Sequence, residues 1–369
     1  MSASPQEPSP APWLEEIRAV VPGEIRETSV ADVDYPLSTL TTGERAEVRV
    51  RTDAGTHRLV RKVARSVARS PMLAAIPPEH RAVLMDALPW RVEPDVYRSP
   101  MSSSLPEGMR QARCPAVIDL DDESAAIWLE RVDHVPGPWS ATDYRDAARM
   151  LGRFAGADPI GHIVDAIGHP TGPHQARVYW QIKLCGMYLA AFDEGSVWSH
   201  PALLRTVTPA LRRRLDAFIE QVPTLLTEIE SLPLLVAHGD ACPNNILRSV
   251  DGSGFIVIDW AFFGRNRVGF DLSQLVISEI DLGRMPGARL GELQDLCLPA
   301  YRAGLADGGV RITLPDLTRA HRIQLALAAA VASIPVERLT PDAVADPALE
   351  EYCRQRITAL EHMLAAIDI

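Results

Sequence analysis

At 369 residues, 47% of them hydrophobic and 23% charged, the chain has the composition of a soluble globular protein and enough length to bury a large core in one or two domains. A net charge of −11 repels nucleic-acid backbones, which argues against a DNA or RNA partner, and favours cationic ligands. No apolar run reaches the ~18 residues of a membrane span, and no basic stretch followed by an apolar block opens the chain. No membrane partner and a cytoplasmic location are therefore expected.

Five scattered cysteines (Cys114, Cys185, Cys242, Cys297, Cys353) contain no Cys-x-x-Cys pair, which fits free thiols better than a disulfide frame or a zinc site. Of 37 basic residues only Lys62 and Lys183 are lysine. Where Arg is so generally substituted, a surviving Lys points to a site that needs a compact ammonium rather than a planar fork.

In chain order, residues 1–11 are rich in Pro and Ser and read as a flexible tail. Trp13, Leu14, Ile17, Val20 and Val21 then recur at helical spacing before Pro22-Gly23, predicting a short helix without chemistry. From Ile25 to Ala64 the pattern is that of strands. Glu47–Arg51 alternates, Asp53-Ala54-Gly55 turns, and His57–Val63 returns as the second strand of a hairpin that carries Lys62. A helical stretch with Glu79 and Glu93 lies between Pro77 and Tyr97, and Pro94 fits a first helical turn better than an interior. Residues 99–112 are polar and irregular, a loop. Strands are predicted at Cys114–Leu120 and Ala125–Glu130, on either side of the turn Asp121–Ser124. Pro136-Gly137-Pro138 marks a boundary, beyond which the pattern is mainly helical, starting with Ala141–Ala155. Residues 158–200 gather His162, His169 and His174 with Tyr179, Trp180, Tyr188, Phe192 and Trp198. The histidines lack the His-x-x-x-His spacing of a helical metal site. The aromatics fit either a core or the wall of a ligand site. Further helices are expected at 207–229, 291–304, 316–333 and 347–367, and no internal repeat is found.

The stretch with the most chemistry is HGDACPNNILRSVDGSGFIVIDW, from His238 to Trp260. Asp240 and Asn245 stand in the Asp-x-x-x-x-Asn spacing of a kinase catalytic loop. Asp259 follows the strand-like run Phe255–Ile258. Two carboxylates and an amide on a loop and the next strand suit phosphoryl transfer. Asp240 takes the proton of the attacking hydroxyl, while Asn245 and Asp259 hold Mg²⁺ against nucleotide phosphates.

HGDACPNNIL, followed by VIDW and then GFDLSQL, resembles the aminoglycoside phosphotransferase and choline kinase group of small-molecule kinases, relatives of the protein kinases in fold. The resemblance implies an α+β, protein-kinase-like bilobal fold with a small antiparallel-sheet lobe over 12–131 that binds nucleotide. A large, mainly helical lobe over 132–369 would carry the catalytic loop and acceptor site. It implies ATP or GTP with Mg²⁺ as cofactors and a small-molecule hydroxyl acceptor: an antibiotic, sugar, nucleoside or amino alcohol. Lys62 matches the lysine that holds the α- and β-phosphates, and Glu93, four residues before Tyr97, matches the helix glutamate that orients it. Thr42 and Gly43 end the stretch Ser38–Gly43, where the nucleotide loop should be. Backbone groups at Glu130 and Val132 would meet the adenine edge. Asp271 matches an aspartate that braces the catalytic loop, and His238 would support that loop by hydrogen bonding. The competing reading is a nucleotide-binding pseudokinase, a binding module without turnover. A metal-dependent phosphohydrolase lacks the ligands for a two-metal site. Protein kinase activity is disfavoured because the loop is not of His-Arg-Asp type and no Asp-Phe-Gly occurs at Asp259.

Overall fold

A computed structural model of the chain describes residues 13–33, 39–76, 78–340 and 346–369. The expected tail over residues 1–11 lies outside them. Ten strands run through the described residues in chain order: β1 (Ile25–Asp32), β2 (Thr42–Thr52), β3 (Gly55–Arg65), β4 (Met109–Gln111), β5 (Ala116–Asp121), β6 (Ser124–Glu130), β7 (Leu234–Ala237), β8 (Ile246–Arg248), β9 (Phe255–Val257) and β10 (Gly264–Arg267). The chain divides into two compact units. One comprises the described residues up to Arg98 together with Ala112–Asp133, and the other Ser99–Gln111 together with His134–Ile369.

The first unit is built on a five-stranded antiparallel sheet of order β1-β2-β3-β6-β5. β6 reads Ser-Ala-Ala-Ile-Trp-Leu-Glu and is buried along all but its last residue, as befits an apolar run covered on both faces. Alternation along β3 sends Arg61 and Lys62 to opposite faces. The Arg61 side chain is buried against the helix Leu14–Val20. Its Nε and Nη2 take both carboxylate oxygens of Glu16 at 2.8 Å, Nη1 reaches Glu44 Oε2 at 2.9 Å, and the guanidinium stacks 4.5 Å from the Trp13 ring. Trp128 Nε1 donates to the same Glu16 at 2.8 Å. Beneath this polar clamp, Ile17 and Val21 join Val48, Val50, Leu59 and Trp128 in one apolar cluster. The helical stretch expected before Tyr97 is two helices, Pro78–Ala87 and Val92–Arg98. The break falls at Pro89, which has no N–H to continue a helix.

In the second unit, the segment read as a loop over 99–112 contains a strand. β4 pairs in parallel with β9, which also pairs antiparallel with β8. Three residues are too few for alternation to reveal. Around this small sheet and the β7–β10 pair the unit is helical. The helix Ala141–Ala155 opens with a capping box between Ser140 and Asp143. It crosses Arg289–Asp307 so closely that a Cβ on Gly152 would overlap the Tyr301 carbonyl oxygen. The aromatics of the 158–200 stretch are largely core: Trp180, Tyr188 and Phe192 are buried, on a helical run that winds as a π-helix across Trp180–Leu189.

Removing Arg61 leaves Glu16 as a mostly buried carboxylate without its bidentate partner. Arg61→Met is expected to destabilise the first unit by about 3–5 kcal/mol, read by denaturant unfolding. A loss below about 1 kcal/mol would show that the clamp is dispensable.

Candidate active site

In the first unit Lys62 lies mid-sheet, opposite Arg45 of β2 and Ile127 of β6. Its Nζ stands 2.6 Å from Glu93 Oε2, in the first turn of the helix Val92–Arg98, and both side chains are buried. Pro94 occupies the next position of that turn, where its missing N–H costs nothing. The Glu79 side chain is outside the described residues. Thr42 and Gly43 fall not in a loop but at the start of β2, with Thr42 buried and the pairing register slipping between Thr42 and Glu44. Serine 38 of that stretch is not among the described residues. At the end of β6 the Glu130 N–H donates to the Arg113 carbonyl at 2.8 Å, and the Val132 carbonyl accepts from Arg131 Nη1 at 2.8 Å.

The second unit contains the stretch from His238 to Trp260. β7 delivers the chain to His238 and Gly239. Gly239 has φ +87°, and a Cβ there would overlap the Phe262 carbonyl oxygen, so the loop requires glycine at this point. The helix Phe270–Asp281 presents Asp271 in its first turn. The Asp271 Oδ2 accepts the His238 N–H at 2.8 Å, and Oδ1 accepts the Gly239 N–H at 2.9 Å. Burial pushes the Asp271 carboxyl up to about 6, although these two N–H groups favour the charged form.

His238 acts through both ring nitrogens. Nδ1 accepts the Asp240 N–H at 3.2 Å, so the proton sits on Nε2, which donates to the Ile258 carbonyl at 3.0 Å. The ring also packs 4.8 Å from Trp260, which is fully buried. Asn245 Nδ2 donates to Asp240 Oδ2 at 2.9 Å and to the Asp240 carbonyl at 3.0 Å. Flipping the amide would set oxygen against both, so Nδ2 is fixed and Oδ1 is the oxygen the side chain has to offer. The Ile258 N–H donates to the Asn245 carbonyl at 3.0 Å. One residue, Ile258, thus links Asn245 through its N–H and His238 through its carbonyl, and the next residue is Asp259. Asp259 takes φ +62°, a left-handed conformation that Asp tolerates better than most.

The remaining candidates fall outside this arrangement. Burial pushes the Cys242 thiol up to about 12, which keeps it protonated and unreactive. His169 stacks on Phe262 at 5.6 Å, and burial lowers its pKa to about 4. His174 lies 3.6 Å from Glu230 instead of joining it. Among the described residues no three His, Cys, Asp or Glu side chains converge on a metal site. Two contacts had no sequence signal. Arg284 Nη1 reaches Asn244 Oδ1 at 3.1 Å, and Ile258 acts only through its backbone.

A sequence model of the phosphotransferase enzyme family matches residues 44–306, from β2 into the helix Arg289–Asp307. The chain belongs to this family. It is, by that membership, a phosphotransferase. A search of curated proteins finds no match. Among solved structures, the chain is similar to an amicoumacin kinase in complex with AMP-PNP, Ca²⁺ and Ami, with a TM-score of 0.52 and 11% identity over 95% of this chain and 92% of that one. That likeness identifies the protein-kinase-like fold. An aminoglycoside phosphotransferase from Alicyclobacillus acidocaldarius is 15% identical over 91% of this chain and 97% of that one, TM-score 0.49. A choline/ethanolamine kinase family protein from Mesorhizobium loti is 15% identical over 87% and 89%, TM-score 0.44.

The Asp271 carboxyl generates a pH test. Its folded-state pKa of about 6 exceeds the unfolded value near 3.9, so the native state binds the extra proton between these limits. Its contribution to stability therefore rises as pH falls from 7 towards 5. Thermal unfolding of the wild type against Asp271→Asn is expected to show the difference moving in favour of the wild type over that range. A pH-independent difference would contradict the assignment.

Proposed function

We propose that this phosphotransferase moves the γ-phosphoryl group of ATP or GTP to a hydroxyl of a small molecule, in the cytoplasm, with Mg²⁺ as its metal. The observation that carries the reading is the hydrogen-bonded set Asp240–Asn245–Ile258–His238, which leads directly into Asp259. The nucleotide analogue and divalent cation in the amicoumacin kinase complex support the cofactor reading. The absence, among the described residues, of any helix able to cross a membrane agrees with the location.

The donor chemistry fits a hard cation. Asn245 offers an amide oxygen and Asp259 a carboxylate, and among the described residues no three His, Cys, Asp or Glu side chains gather into a metal site of their own. Mg²⁺ is held in just this way, by one or two protein oxygens while water and substrate phosphates fill the remainder. When bound it supplies neutralisation of charge on the phosphate oxygens. Asn245 and Asp259 would hold it.

The protein's own residues do the rest. Asp240, its carboxylate fixed by Asn245 Nδ2, orients the acceptor hydroxyl and receives its proton as the oxygen attacks phosphorus. Lys62, held by Glu93, contacts the α- and β-phosphates as a compact positive charge. The purine edge meets backbone at the Glu130–Val132 segment. The Glu130 N–H and the Val132 carbonyl have partners in the protein, which favours the Val132 N–H. Thr42 and Gly43, at the entry to β2, are assigned to the nucleotide's phosphate end. His238 keeps the loop shaped without exchanging protons, since both ring nitrogens are engaged, and Asp271 holds the backbone beneath it. On this reading the first unit binds nucleotide and the second holds the catalytic loop and acceptor. Catalysis rests on positioning and charge neutralisation.

Two substitutions separate the roles. Asp240→Ala is expected to lower phosphoryl transfer by at least ~100-fold, the scale of general base catalysis, with the dissociation constant for Mg·nucleotide within about 3-fold of wild type. Asp259→Ala is expected to weaken Mg·nucleotide binding itself. Calorimetric titration and a coupled assay of diphosphate release over a panel of hydroxyl compounds read both. Full turnover in Asp240→Ala, or unchanged binding in Asp259→Ala, would overturn the respective assignment.

A further inference from the structure

Within the first unit, β2 and β3 pair so that Arg45 stands directly opposite Lys62. Residues opposite each other in an antiparallel pair point to the same face, with Cβ atoms about 5 Å apart. The other face takes the neighbouring pair, Ala46 and Arg61, which pack towards the helix Leu14–Val20. Arg45 and Lys62 are therefore neighbours on the face where Lys62 meets Glu93. Alternation along β2 turns Arg45, Arg49 and Arg51 to this side. Arg49 and Arg51 are exposed, whereas Arg45 is half-buried. Two positions before Arg45 the ladder slips at Gly43, which the register with β3 skips. Such bulges re-aim the side chains beside them and recur next to ligand sites.

One cation directly opposite another is an unfavourable pair in a sheet. Glu93 stands 2.6 Å from the Lys62 ammonium, so this part of the face sets two cations against one carboxylate. That balance suits a polyanion. The two cations also differ in kind. An ammonium meets phosphate as a point charge, whereas a guanidinium fork takes two phosphate oxygens at once.

We propose that Arg45 is a second phosphate contact for the nucleotide, beside Lys62 and within the first unit. The assignment rests on the phosphoryl-transfer reading above. Thr42 and Gly43, given there to the phosphate end, enter the same strand just before Arg45. Arg45 adds to that end the charged side chain that they lack.

Wild type, Arg45→Met and Arg45→Lys of the full chain are titrated calorimetrically with Mg·ATP or Mg·GTP, whichever binds, and with the corresponding nucleoside. The melting temperature of each variant is recorded alongside. In Arg45→Met the triphosphate is expected to weaken about 10-fold or more, the scale of a charge-assisted hydrogen bond, while the nucleoside changes less than about 2-fold. Arg45→Lys, which keeps the charge and loses the fork, is expected in between. Triphosphate binding to Arg45→Met that matches the wild type overturns the assignment. So does equal weakening of triphosphate and nucleoside, which would mark Arg45 as a residue that only holds the sheet. If Arg45→Met does not fold, Arg45→Lys carries the same comparison. Failure of the wild type to bind either probe would instead overturn the phosphoryl-transfer reading beneath it.

Discussion

The loop to which the proposed chemistry is assigned is shaped by a buried carboxylate, that of Asp271. Asp271 is fully buried, and an isolated charge there would be expensive. Its two oxygens instead replace water with two backbone N–H donors, those of His238 and Gly239. Accepting adjacent N–H groups forces the chain into the left-handed turn that only Gly239 accommodates, and so aims His238 inward. His238 then passes the constraint on, through Nδ1 to Asp240 and through Nε2 to Ile258. Asp240, Asn245 and the chain entering Asp259 are thus tied back to one buried carboxylate through a single imidazole.

The loop was legible in the sequence because its chemistry is local. His238, Asp240, Asn245 and Asp259 lie in one short run, and their spacing alone pointed to phosphoryl transfer. Asp271 lies close behind on a helix whose start is marked by Gly269. The hairpin of β2 and β3 was equally readable from alternation and the Asp53-Ala54-Gly55 turn. Other features were not. β4 is a three-residue strand whose partner, β9, lies well over a hundred residues away, and periodicity carries no information about such pairing. The Lys62–Glu93 pairing came from the family resemblance and not from helical periodicity, because Glu93 sits beside a proline that obscures its helix. Thr42 and Gly43 looked like loop residues because one glycine cannot distinguish a turn from the irregular first pair of a strand. Ile258 contributes only N–H and C=O, which every residue type shares. No reading of side chains would single it out.

The scarcity of lysine gives a mixed lesson. Lys62 is buried and opposed by Glu93 at 2.6 Å, a setting suited to a compact ammonium. Lys183 is exposed, its Nζ 5.3 Å from the Tyr179 ring, and nothing there excludes arginine. The arginines are also more than charge. Arg61 is buried and Arg248 partly so, and each uses its planar fork to join distant stretches of chain. Neither can be recognised in a sequence where arginine is the default cation.

The most direct test of the account is the melting temperature of the chain with ATP, with GTP and with neither, each in the presence and absence of Mg²⁺. At about 100 times the dissociation constant, a bound nucleotide stabilises the native state by roughly 2.7 kcal/mol. A rise of several degrees that requires nucleotide and Mg²⁺ together is the predicted result. No shift at millimolar nucleotide, or a shift indifferent to Mg²⁺, would contradict the roles given to Asn245 and Asp259.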